Sequence, residues 1–199
     1  MSGNLLFSAR LSHPALSLSR LGCETVNPGT EAAVFGAIRG RDRSPDQLKH
    51  LLFTHGHPDH IGSAAAIVRE TGEDLHAPAS DWTRLPLTQP LTDGEMLTIA
   101  GGFEVIHTPG HCAGQVALLW RPGRMLFAGD VCVNIMGLSD PIGSESLNEG
   151  RASQRKLASL SFDAAGFGHG KPIARGASSH FRNKYGKNPE DLPQQRSAA

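Results

Sequence analysis

The sequence is poor in cysteine, in charge of either net sign and in long apolar runs. Cys23, Cys112 and Cys132 are the only 3 cysteines in 199 residues. Their odd number and wide spacing exclude a disulfide framework and fit a reducing, cytoplasmic setting. Apolar runs such as 64–68 fall far short of the ~20 residues of a membrane-spanning helix. Lys plus Arg is 19 and Asp plus Glu is 19, so the formal net charge is zero. That balance excludes a chain built to coat nucleic acid or an acidic membrane, because both need a cationic surface. Internal repeats and low-complexity periods are also missing, although 23 glycines and 13 prolines make the chain rich in turns. Acidic residues do not occur before Glu24. An ordinary N-terminal strand pair accounts for that stretch, with a mitochondrial transit peptide as the alternative.

What the sequence does have is histidine. There are 10, concentrated between His50 and His111. The order of elements predicted around them mixes strands and helices. Ser44-Pro45-Asp46-Gln47 has the form of a capping box with Pro at the first helical position. A buried strand follows at 51–53 and a helix at 61–71, which Gly72 can end. Short strands are expected at 75–77, 96–99, 103–107, 115–120 and 125–128, with a hairpin turn at 121–124. Residues 131–147 read as a long loop. Asn148 is expected to cap a helix running to Leu160, with Leu157 and Leu160 on one face. A last strand is expected at 162–167 and a basic helix at 174–184. The reading is one domain over 1–187, with helices packed on sheets, and a frayed tail at 188–199.

His55 and His57 are two residues apart at the end of a strand, so alternation aims both the same way. Asp59 and His60 follow at the turn into a helix. Imidazole and carboxylate are ligands that Zn²⁺ takes at about 2.0–2.2 Å. Neighbouring Asp59 and His60 point to different places, so one ion cannot easily use all of these groups, but two adjacent ions can. His111, Asp130 and His169 each stand just past a predicted strand end, where the rim of a sheet would collect them. His13, His50, His76, His107 and His180 read as structural or surface residues. Cys112 and Cys132 read as small packing residues.

The series His-x-His-x-Asp-His at 55–60, His111 after Thr-Pro-Gly, Gly129-Asp130 and Gly168-His169-Gly170 resembles the metallo-β-lactamase superfamily over about 44–172. The resemblance implies a four-layer αββα sandwich with a dinuclear site at its edge. It implies that His55, His57 and His111 hold one metal ion, that Asp59, His60 and His169 hold the second, and that Asp130 bridges both. Two divalent ions are implied, Zn²⁺ foremost, with Fe or Mn as alternatives. Members usually have an Asp-x-Gly turn after an N-terminal strand, where this chain has Asn27-Pro28-Gly29.

A bridging Asp130 is similar to the glyoxalase II and lactonase branches and unlike the true β-lactamases. His57 excludes the diiron branch, which has Glu there. The resemblance therefore implies a hydrolase of an ester, thioester or lactone, with hydroxide bridging the ions as nucleophile. Asp59 and Asp130 would orient it and relay its proton. Only 30 residues follow His169, which leaves no room for the helical substrate domain of glyoxalase II, so a glutathione thioester is not the expected substrate. Tyr185 is the only tyrosine, in the tail, away from where lactonases of this type place theirs. The expected partner is a small molecule with a hydrolysable carbonyl. The alternatives are a persulfide dioxygenase-like oxidoreductase with one iron on His55, His111 and Asp130, and a β-lactam hydrolase or side activity. Specificity is expected from 131–147, with Asn134, Met136 and Leu138 as pocket lining, and from a wall at 79–91 with Trp82. Lys171 and Arg175, just after His169, read as solvated surface, with contact to a substrate carboxylate as the alternative.

Overall fold

A computed structural model describes residues 21–23, 29–40, 42, 44–48, 50–71, 74–78 and 89–186. Asn27, Trp82 and the tail at 188–199 lie outside these residues, as does His13. The first sheet has four strands in the order β1-β2-β3-β4: Leu21–Cys23, His50–Leu52, Asp74–Pro78 and Gln89–Leu91. All its pairings are parallel. The second has five strands in the order β11-β8-β7-β6-β5: Ala164–Gly166, Met125–Phe127, Val116–Trp120, Phe103–His107 and Met96–Leu97. There β7 runs antiparallel to both β6 and β8, and β11 is parallel to β8. A small antiparallel pair, β9 (Val133–Asn134) and β10 (Leu138–Ser139), stands apart.

Side-chain alternation builds the layers. In β2, Leu51 packs with Phe35 and Ile38 of helix α1 (Glu31–Arg39) and with Ile67 of helix α3 (Ala64–Thr71). Its neighbour Leu52 faces the other way and joins Val105, Leu118 and Trp120 of the second sheet. Leu119, one residue after Leu118, turns outward to Leu157 of helix α4 (Leu147–Ala158) and Phe181 of helix α5 (Ala177–Tyr185). These three clusters fill the three interfaces of an αββα sandwich. Strand β7 faces two of them, and all of its residues are buried. A continuous apolar run such as Val-Ala-Leu-Leu-Trp is what a strand covered on both faces requires.

Several boundaries differ from the sequence pattern. The helix expected at 61–71 is two pieces, α2 (Pro58–Ile61) and α3, parted at Gly62-Ser63. Helix α4 begins at Leu147, and its cap is Ser146, whose side chain accepts from the Glu149 amide. Asn148 therefore lies inside the helix. Ile99 belongs to a 3-10 turn, Ile99–Gly101, and not to a strand. Helix α1 and strand β4 have no counterpart among the predicted elements.

Candidate metal centre

Strand direction decides where the candidate ligands go. Because β6 and β8 both oppose β7, their C-terminal ends lie at the same edge of the sheet, and β11 ends there too. His111 follows β6, Asp130 follows β8 and His169 follows β11. His55 and His57 follow β2 of the first sheet, and the Val116 amide donates to Thr54 O at 2.9 Å, joining the two sheets beside them. His57 is the N-cap of α2, with Pro58 at the first helical position. The first turn of that helix then presents Asp59 and His60.

The ligand atoms fall into three triads, each with its atoms within 4.8 Å of one another. They are His55, His57 and His111; His55, His60 and Asp130; and Asp59, His60 and His169. His57 Nδ1 lies 2.9 Å from His111 Nε2. Asp130 Oδ2 lies 3.5 Å from His111 Nε2, 3.5 Å from His60 Nε2 and 3.3 Å from His169 Nε2. On the outer side, His169 Nε2 lies 3.1 Å from Asp59 Oδ2. Two nitrogens on one tetrahedral Zn²⁺ stand roughly 3.3 Å apart, and these spacings bracket that value. His50, His107 and His180 belong to none of the triads.

Burial makes the cluster a poor hydrogen-bonded network and a good cation site. His55 and His60 are fully buried, and Asp130 nearly so. The Nδ1 of His55 lies 3.0 Å from Thr54 Oγ1, yet its Nε2 is buried with no hydrogen-bond partner, as is Asp130 Oδ1. Orphaned buried acceptors are costly, and a cation shared among them removes the cost. The residues present therefore fit divalent ions. Burial, reinforced by the neighbouring His60, pushes His55 down to about 2 against the attraction of Asp130. Burial also lowers His111. Neutral imidazole is the form that binds a metal. Burial alone would raise the Asp130 carboxyl, but hydrogen bonds from His169 and His60 outweigh it and hold the group well below the carboxylate range. The same Asp130 contact raises His169.

Glycines and α4 hold these groups in place, and sequence spacing showed no sign of the second. Gly168 packs against Asp130 and His60. The α4 residues Ser153 and Gln154 donate to Pro109 O and Val131 O, at 2.7 and 3.0 Å, clamping the segments just before His111 and just after Asp130. A pocket of about 440 Å³ opens over the candidate ligands and is lined also by Val133, Ile135, Pro141 and Ile142. Of the residues expected to line it, Asn134 instead donates to Lys171 O at 2.6 Å, and Leu138 packs toward the core. Met136 is exposed at the β9–β10 turn. Lys171 and Arg175 are exposed, while Cys112 and Cys132 are buried. Tyr185 is buried against Phe181.

The profile of a family described as "Metallo-beta-lactamase superfamily" matches residues 25–169. A hydroxyacylglutathione hydrolase from Albidiferax ferrireducens is 33% identical over 143 residues, covering 70% of this chain and 52% of that protein. One from Pseudomonas aeruginosa is 35% identical over 113 residues, covering 54% and 42%. The chain thus spans about half the length of the curated relatives it matches. Among solved structures, a metallo-beta-lactamase family protein from Thermus thermophilus superposes with a TM-score of 0.65 at 21% identity, covering 82% of this chain and 69% of that one. A subclass B3 metallo-beta-lactamase of Bradyrhizobium japonicum gives 0.64 at 19%, covering 83% and 80%. At such identities the likeness carries the fold alone.

Proposed function

The chain belongs to the metallo-beta-lactamase superfamily, and from that premise we propose that it is a hydrolase of an ester, thioester or lactone that works with two divalent ions, Zn²⁺ foremost. The observation that carries this reading is the position of Asp130 Oδ2, within 3.5 Å of imidazoles from both outer triads. A carboxylate so placed suits a bridge between two cations.

His55, His57 and His111 would hold one ion, Asp59, His60 and His169 the other, and Asp130 both. When bound, two such ions supply Lewis acidity toward the carbonyl and bring the pKa of water to about 7. The protein's own groups do the rest. The Asp59 side chain is 44% exposed and lies on the pocket wall, where it can take a proton from the attacking water and pass it to solvent. Asp130 is buried among imidazoles, so its part is to orient.

The names of the relatives support a thioester. Their glutathione moiety is not carried over, because about half of each relative lies outside the match. Among the described residues, no helix is long and apolar enough to cross a membrane. The proposed setting is cytoplasmic, which the free thiols of Cys112 and Cys132 support, and the proposed partner is a small molecule. The test is metal content per chain, by elemental analysis of protein purified without chelator, together with thioester turnover. About two divalent ions, and turnover abolished by His57→Ala and by Asp130→Ala, are expected. One iron per chain, or turnover that survives both substitutions, would overturn the reading.

A further inference from the structure

The pocket over the candidate ligands has two unlike walls. His57, Asp59, His111, Asp130 and His169 make the polar one, and Val133, Ile135, Pro141 and Ile142 make the apolar one. The apolar wall continues outward as a lip. Ile142 is 97% exposed, Met136 99% and Ile135 63%. Soluble surfaces carry scattered apolar side chains without consequence. Here, however, three of the five large apolar side chains exposed among the described residues fall within 135–142, and two of them, Ile135 and Ile142, line the pocket.

The backbone under the lip is held firmly. Asn134 donates from its amide to His169 O at 3.1 Å and from its side chain to Lys171 O at 2.6 Å. Buried Gln154 donates to Asp140 Oδ1 at 2.9 Å. Leu138 packs against the core. The segment is therefore anchored along its length while its isoleucines and methionine project. No Lys or Arg is among the described residues lining the pocket, and Val133, Ile135, Pro141 and Ile142 carry no charge, so an acyl tail lying along those four residues would find no charged partner in them. An acid held with its carboxylate at the polar wall would run its chain along the apolar one.

We propose that this lip selects the substrate by its acyl group, and that the group is an uncharged aliphatic chain. The assignment of a scissile acyl bond rests on the hydrolase reading above. The lip itself is tested by binding.

The experiment is calorimetric titration of the metal-replete protein with acetate, butyrate, hexanoate and octanoate. The dissociation constant is expected to fall about two- to fourfold per added methylene, the upper figure corresponding to complete burial. Combined Ile135→Ser, Met136→Ser and Ile142→Ser substitution is expected to flatten that series. The exposed positions make these changes tolerable to the fold, which the melting temperature checks. No measurable binding, a flat series in the native protein, or equal slopes in both proteins would overturn the proposal. So would self-association, or sedimentation with phosphatidylcholine vesicles, that the triple substitution removes, since the lip would then serve a second copy or a bilayer. Failure of the hydrolase reading would look different: no thioester is turned over, yet the chain-length slope remains and the lip assignment stands.

Discussion

Gly168 leaves no space between itself and Asp130. A methyl group on its α-carbon would fall 2.1 Å from Asp130 Oδ1 and 2.5 Å from His60 Cε1. Neither neighbour can retreat, because both are buried in the cluster. Gly168→Ala should therefore move the Asp130 carboxylate or His60. We expect the loss of about one metal ion per chain and a fall in thioester turnover of about 100-fold, as expected for a misplacement of roughly 1 Å. Elemental analysis beside the rate assay checks it. Full metal content with native turnover would remove Asp130 from its proposed role.

Metal removal should cost stability as well as activity. His55 Nε2 and Asp130 Oδ1 are buried without hydrogen-bond partners, so the chelated protein keeps their desolvation cost. A ligand present at about 1,000 times its dissociation constant stabilises by about 4 kcal/mol. For a chain of this size that corresponds to a melting temperature lower by roughly 10 °C after exhaustive chelation. Differential scanning calorimetry before and after chelator, with restoration by added Zn²⁺, is the measurement. Identical melting curves would contradict the dinuclear site.

Gly110 is required by position and by conformation. Its φ is +136°, and a Cβ there would lie 2.2 Å from the Gly150 amide nitrogen in α4. Gly110→Ala must push α4 away from the segment carrying His111. Backbone strain and lost packing together should lower unfolding free energy by at least about 2 kcal/mol. Urea titration of the metal-free protein separates this from any change in metal binding.

Asp93 gives a pH-dependent contribution away from the cluster. The His107 amide donates to its Oδ1 at 2.6 Å, and Lys156 Nζ lies 3.4 Å away. The His107 hydrogen bond, helped by Lys156 against a small burial cost, holds the carboxyl below its ordinary 3.8. A carboxyl lowered in the folded state stabilises above its unfolded pKa, and that stability is lost as pH falls through the folded value. Asp93→Ala should lower the melting temperature by roughly 1–3 °C at pH 7, and the difference should shrink as pH falls below the carboxyl's ordinary 3.8. A constant difference across that range would assign the effect to packing.

The candidate ligands were legible because chemistry and position coincide in them. His55, His57, Asp59 and His60 are crowded into one stretch, and His111, Asp130 and His169 each follow a strand end. The central strands were legible for a similar reason, since Phe103–His107 and Val116–Trp120 are apolar runs bounded by turn residues. Helix α1 was not, because only Phe35 and Ile38 of it are buried, too sparse a stripe to announce a period. Strand β4 contains Pro90, which argues against a strand except at an edge, and β4 is the edge of its sheet. The start of α4 was misplaced although Ser146 and Glu149 stand at capping-box spacing. The loop at 131–147 was legible from its lack of periodicity, but which of its side chains reach the pocket was not: Asn134 and Leu138 turn to other partners, while Ile135 and Ile142 line the pocket.

The segment carrying the lip is tied at both ends to stretches that carry candidate ligands, around His169 and just before His111. Asn134 is bonded on either side of Gly170, and Ser146 opens α4 while its amide donates to Gly110 O at 2.8 Å. The stretch between those ties, pinned midway by Leu138 and Asp140, is therefore a cassette whose exposed side chains can be exchanged. Its anchors are separate from the exposed positions 135, 136 and 142, so exchange of those three side chains leaves the anchors in place. Selection of substrates can then drift by exchange of that cassette while the chemistry of the site stays constant.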